Sequence, residues 1–163
     1  MLKPTIQPRL PTGTPMTGSD AAIASSTLIP NPSELDALSN RFANLLDRLG
    51  VAQGDRVYSL AGRIPELYIA ALGTLKHRAM FCPLFSAFGP EPIAKRLQLG
   101  EAKVLITSER LYRRRIAALR DRIPTLEHVI LIADPKRPQK PDGTLDWSSA
   151  MNQAPEVYPI GET

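Results

Sequence analysis

Between residues 33 and 133 of this 163-residue chain, short runs of branched apolar residues alternate with longer stretches in which apolar residues recur every three or four positions. No other feature restricts the fold as much. Strands that alternate with helices of ten or more residues are joined by right-handed crossovers, which make parallel strands with helices packed on their faces. The expected fold class is therefore α/β, a parallel sheet with helices on both faces in the doubly wound manner.

The individual segments follow from local chemistry. Ser33 is read as the cap of a first helix with Glu34 and Asp36 in its first turn, where acidic groups favour the positive end. Leu35, Leu38, Phe42, Leu45, Leu46 and Leu49 share one face, and Gly50 supplies the stop. Arg56 to Leu60 reads as a strand. Pro65 suits the first position of a second helix, apolar nearly all round and running to about Arg78. Met80 to Phe85 is strand-like, and Pro83 directs it to a sheet edge or strand end. Pro90 to Leu99 gives a third helix closed by Gly100. Lys103 to Thr107 is a branched strand with polar ends. Ser108 caps a fourth helix through Leu111, Tyr112, Ile116 and Leu119, and His128 to Ile132 is a final strand.

The flanks differ. Residues 1–32 carry Pro4, Pro8, Pro11, Pro15, Pro30 and Pro32 with little periodicity, and are expected to be an irregular tail. Residues 134–163 are expected to form a mostly irregular arm, with Trp147 anchoring it to the 33–133 domain. No apolar stretch approaches the ~20 residues that cross a bilayer. Cys82 is the one cysteine, which excludes an internal disulfide and points to a reducing, cytoplasmic setting. With His77 and His128 the only histidines, a Cys/His metal site is excluded. The net charge of +4 gathers at Arg110, Arg113, Arg114, Arg115, Arg120 and Arg122, and again at Lys136, Arg137 and Lys140. Glu109 and Asp121 dilute the first group, and neither group is interleaved with the aromatics that stack on bases; composition leans towards a soluble cytosolic protein and does not decide the partner.

Local motifs make no active site. The folded part holds neither G-x-G-x-x-G nor G-x-x-x-x-G-K-[ST]. Thr12 to Gly18 has the flavour of a nucleotide loop but follows no strand and opens no helix. Ser59, Ser86 and Ser108 lie near strand ends without a G-x-S-x-G elbow. His77 and His128 read as structural, Cys82 as a small core residue, and Glu66 and Glu91 as first-turn acids. For the arginine-rich helix, a solvated face and a phosphate contact both remain open, because a guanidinium offers a forked, permanently charged donor set.

A longer succession carries more information. Glu34 to Asn44 is followed by Leu49-Gly50-Val51, Gly54-Asp55-Arg56-Val57, Ile64-Pro65-Glu66-Leu67-Tyr68, Leu72-Gly73 and Cys82 to Glu91. Ala102 to Thr107 and Pro124 to Val129 complete it. In order and spacing this series resembles the N-terminal region of AMP-forming acyl-CoA synthetases, most closely acetyl-CoA synthetases. The resemblance implies a ligase that converts a carboxylate and ATP to an acyl-adenylate, releases pyrophosphate and passes the acyl group to CoA, with magnesium among its cofactors.

The family's Thr/Ser/Gly-rich loop ending in Pro-Lys-Gly, its later acidic and arginine motifs and its catalytic lysine would all follow Thr163. The resemblance therefore implies a fragment, interrupted at both ends, with no catalytic residue of its own and inactive alone. Its partners would be CoA and acetyl-adenylate in the whole enzyme, with no nucleic acid or membrane. The alternative is a stand-alone CoA- or nucleotide-binding or interaction module that pairs with a separate remainder of the synthetase. In acetyl-CoA synthetases a Phe-Gly-Gly-Phe turn and an arginine after the next strand help hold CoA. The matching positions are Phe85, Ser86, Ala87 and Phe88, and Arg113 beside Arg114 and Arg115. Ser86 and Ala87 stand where the family has glycines. Arg78 also replaces a glycine, at the turn after the second helix, and is expected to force a different turn.

Overall fold

A computed structural model describes residues 30–133 and 140–159. The expectations for residues 1–29, including the Thr12–Gly18 stretch, and for 134–139 and 160–163 lie outside the described residues.

Helix α1 spans Pro32–Arg48 and is capped by Asn31, two residues earlier than expected. Pro32 suits the first helical position, where no N–H is needed, so the cap falls before it and not at Ser33. The Asn31 side chain accepts from the Glu34 N–H at 2.9 Å, and the Glu34 carboxylate accepts from the Asn31 N–H at 3.1 Å. This reciprocal pair satisfies two of the donors that a helix start leaves open. Gly50 ends the helix at φ +69°, a left-handed conformation that costs glycine nothing.

Strand β1 (Arg56–Leu60) leads to α2 (Pro65–Lys76). At the end of α2, Arg78 adopts φ +62°, the conformation a glycine would take. The arginine therefore does not force a different turn. Ala79 N–H bonds to the Thr74 carbonyl at 3.1 Å and Arg78 N–H to that of Leu75 at 2.9 Å, and these bonds hold the residue where an L side chain loses about 1–2 kcal/mol. Next come β2 (Met80–Pro83), α3 (Pro90–Leu99) and β3 (Ala102–Ser108).

Ser108 caps α4 (Glu109–Arg115) by accepting from the Leu111 N–H. The fourth helix was expected to run through Leu119. It breaks at Ile116, which is fully buried with φ −122°, and continues as a 3-10 turn over Ala117–Arg122. Strand β4 is His128–Ile132. Within the arm expected to be mostly irregular, Leu145–Asp146 forms β5 and Trp147–Asn152 forms α5. Trp147 is buried and stacks on Phe42 at 5.3 Å, so the expected anchor is present.

All strands are parallel, in the order β2-β1-β3-β4-β5. Pro83 ends an edge strand, where its missing N–H is harmless. Two cores lie on opposite sheet faces. One joins Phe42 and Leu46 of α1, Ile69 and Ala70 of α2 and Trp147 to Val57, Val104 and Ile106. The other joins Ile93 and Leu97 of α3, Tyr112 and Ile116 to Leu60, Leu105 and Val129. Strand residues alternate between the two because successive side chains point to opposite faces. The fold is the doubly wound α/β arrangement expected. Among the described residues, no helix is long and apolar enough to cross a membrane.

Candidate functional site

Helices α2 and α4 leave the sheet toward opposite faces, yet they follow neighbouring strands β1 and β3. Such a divergence opens a crevice at the carboxyl ends of the strands, the usual ligand position in open α/β sheets. Its floor is fixed: the Leu60 Cα pairs with that of Thr107, and the buried Thr107 hydroxyl donates to the Leu60 carbonyl at 2.7 Å.

The carried-over site residues all follow strands at this edge. Phe85 and Phe88 frame a turn in which the Phe88 N–H bonds to the Phe85 carbonyl at 3.1 Å. Their rings meet edge to face at 5.5 Å, and the Arg96 guanidinium covers the Phe88 ring at 4.2 Å. Phe85 remains 65% exposed, an apolar ring presented to solvent; Ala87 is exposed, and Ser86 is half-buried. With side chains at 86 and 87, the turn presents Cβ atoms where two glycines would present bare backbone.

Arg113 lies one helical turn into α4. Its Nε donates to the Glu109 carboxylate at 2.8 Å, and Glu109 is only 3% exposed. A buried carboxylate at i−4 thus fixes the inner side of the guanidinium while the arginine keeps 40% of its side-chain surface in solvent. The Phe85–Phe88 turn follows β2 and the helix bearing Arg113 follows β3; β1 lies between these two strands, which are roughly 10 Å apart at ordinary strand spacing.

The remaining arginines divide. Arg122 makes a forked pair with Glu91 at 2.8 and 3.0 Å, which holds the Glu91 carboxyl below the usual carboxylate range. Arg120 donates to the Gly143 carbonyl at 2.7 Å. These two tie the 3-10 turn to α3 and to the Gly143 segment, whereas Arg110 and Arg114 are exposed. Spacing alone had left these roles undivided. The Glu109–Arg113 interval was the legible signal for the buried anchor.

Both histidines do structural work. His77 is buried at the end of α2, where Nε2 donates to the Val51 carbonyl at 2.8 Å and Nδ1 meets the Tyr158 hydroxyl at 2.9 Å. His128 donates to the Leu49 carbonyl at 3.0 Å. Cys82 is half-buried against the α3-side core, and burial pushes its thiol up. Among the described residues, no cluster of His, Cys, Asp or Glu is placed to hold a metal ion. A cavity of about 310 Å³ lies at the far edge between Leu45, Arg48, Leu145 and Ser149, and none of the carried-over site residues lines it.

The model of the AMP-binding enzyme family matches residues 32–159. The acetyl-coenzyme A synthetase of Bacillus subtilis is 41% identical over 100 residues, covering 61% of this chain and 17% of that enzyme. Among solved structures, a Brucella canis acyl-CoA synthetase superposes with TM-score 0.69 at 30% identity, covering 78% of this chain and 22% of the other. An anthranilate CoA ligase in complex with anthranoyl-AMP superposes with TM-score 0.73, covering 78% and 24%; at 23% identity it speaks for the fold alone. The chain spans less than a quarter of the length of each of these three.

Proposed function

The chain belongs to the AMP-binding enzyme family of adenylate-forming acyl-CoA synthetases, and on that premise we propose that it is the N-terminal part of a cytoplasmic acetate–CoA ligase (AMP-forming). The whole enzyme joins acetate or another short carboxylate to the α-phosphate of ATP, with pyrophosphate leaving. The CoA thiol then attacks the acyl carbon and AMP leaves. These 163 residues do not catalyse either step alone, because residues 33–133 hold no sequence motif of a loop that grips the ATP phosphates, and such preorganised contacts supply much of the rate.

In this reading the chain's own contribution is to hold CoA. Phe85 and Phe88 offer an apolar ledge, the Ala87 backbone lines the turn, and Arg113, with 40% of its side-chain surface in solvent, meets a CoA phosphate. The observation that supports this most is the anchoring of Arg113 by a buried carboxylate at the carboxyl edge of the sheet. An arginine held in place loses less rotamer freedom on binding.

One observation favours a second reading, an interaction module that pairs with a separate remainder of a synthetase. Tyr68, Leu72 and Leu75 expose 50%, 39% and 61% of their surface along one face of α2, and Met80 on the edge strand exposes 46%. A contiguous apolar strip of this kind marks a surface meant to be covered.

Thermal unfolding with CoA and ATP, each in excess, tests the first reading. CoA at one hundred times its Kd stabilises the native state by about 2.7 kcal/mol, and Arg113→Ala abolishes the shift. A cooperative transition indifferent to CoA would remove the CoA-holding role. Restoration of ligase activity by a separately supplied remainder would establish the second reading.

A further inference from the structure

The strand order β2-β1-β3 sets the Ala61–Ile64 loop between the Phe85–Phe88 turn and Arg113. A ligand spanning the ends of β2 and β3 passes the end of β1, from which this loop leaves. We infer that Arg63 is a further ligand-binding residue, a second guanidinium for the phosphates of the nucleotide-type ligand at this edge; the inference rests on the CoA reading above.

Three observations carry it. Arg63 is exposed at the switch point and has no hydrogen bond or ion pair among the described residues. By contrast Arg41, Arg48, Arg120 and Arg122 are all bound to carbonyls or carboxylates elsewhere in the chain. The loop is firmly seated despite its exposure. Leu60 is pinned by the Thr107 hydroxyl, the Ile64 N–H bonds to the Gly62 carbonyl at 3.1 Å, and Pro65 opens α2 immediately afterwards. Finally, the path beside Arg63 is clear. Nothing lies within 4 Å of where a Cβ on Gly62 would stand, so a ligand can approach the backbone there.

Charge points the same way. The two strand ends carry Arg63, Arg110, Arg113 and Arg114 against Glu66 and Glu109, and Glu109 is already bound to Arg113. The excess is positive, and forked guanidinium donors match phosphate oxygens. Because one arginine comes from each side of the switch point, the pair selects a ligand bearing more than one phosphate group. Such a ligand has the phosphates of CoA, or of adenosine 3′,5′-bisphosphate taken without the pantetheine arm.

The test is calorimetric titration of the 163-residue chain with CoA, adenosine 3′,5′-bisphosphate and pantetheine, using wild type, Arg63→Ala, Arg63→Lys and Arg113→Ala. The expected result is a loss of about tenfold in affinity for CoA and the bisphosphate in Arg63→Ala, the size of one charge-assisted contact. Arg63→Lys falls between, and pantetheine is indifferent. The unfolding midpoint of unliganded Arg63→Ala stays at the wild-type value, since the side chain makes no bond among the described residues. Weakening by Arg113→Ala with none by Arg63→Ala overturns this inference and leaves the CoA reading standing. Weakening of bisphosphate binding by Arg63→Ala, with CoA no tighter than the bisphosphate and pantetheine unable to bind, keeps the anion site and removes CoA. A wild-type chain that binds neither phosphorylated probe overturns both.

Discussion

Gly73→Ala tests how closely the helices on one face of this sheet are packed. Gly73 sits inside α2, where α1 crosses it. A Cβ built there stands 2.7 Å from the Ser39 carbonyl oxygen and 2.8 Å from both Cβ and Cδ1 of Phe42. Helix propensity alone favours the substitution by about 1 kcal/mol, because alanine loses less backbone freedom than glycine. Packing opposes it. To bring those contacts to ordinary separation, α1 must retreat by several tenths of an ångström, and one of the obstructing atoms is backbone, which cannot rotate away. Phe42 is fully buried and stacked on Trp147, so its retreat disturbs the docking of α5 as well. Overpacking of this kind costs typically 1–3 kcal/mol, and the upper end applies where backbone must shift. The net expectation is destabilisation by about 1–2 kcal/mol, or roughly 4–8 °C in midpoint for a domain of this size. Urea unfolding followed by Trp147 fluorescence measures it directly. Gly62→Ala serves as the control, because that glycine has open space around it and no positive φ. A Gly73→Ala chain as stable as wild type, or more so, would show that α1 and α2 do not approach as closely as described.

Other perturbations probe separate parts of the structure. Trp147→Ala removes the ring stacked on Phe42 and should cost about 3–5 kcal/mol in chemical denaturation, the usual loss for a large buried aromatic; a loss under 1 kcal/mol would mean that α5 is not docked. Arg78→Val should be about 1–2 kcal/mol less stable than Arg78→Gly, a comparison in which both variants lack the guanidinium and differ in their tolerance of φ +62°. The Lys103 ammonium beside Asp55 at 2.8 Å, with the Ala52 N–H, holds the Asp55 carboxyl below its usual 3.8. Because the folded value is depressed, the stabilisation is complete above pH 3.8 and is lost as the pH falls through the lower folded value. Asp55→Asn should therefore flatten the acid limb of stability against pH and cost up to about 1 kcal/mol at neutral pH, the pair being partly exposed.

The alternation of apolar runs was enough to read the fold class, because each helix and strand advertises its buried face at its own period. Arg56–Leu60, Pro90–Leu99 and His128–Ile132 appear where the periodicity put them, since no distant residue competes with the local pattern there. The succession of short motifs between Glu34 and Ile132 was likewise enough to identify the family. What the sequence left open was decided by partners far along the chain. The break at Ile116 comes from burial of that side chain in a core built by other elements. The strand and helix at 145–152 exist because β4 offers an unpaired edge and Phe42 offers a ring to Trp147. The division of the arginines was decided in the same way: Arg122 is held by Glu91 from another helix, and Arg120 by a carbonyl at Gly143. Arg63 and Arg113 lie fifty positions apart in sequence, and only the strand order, with β1 and β3 side by side, brings them to one edge. Local periodicity encodes what a segment is, while long-range pairing and burial determine which segments meet.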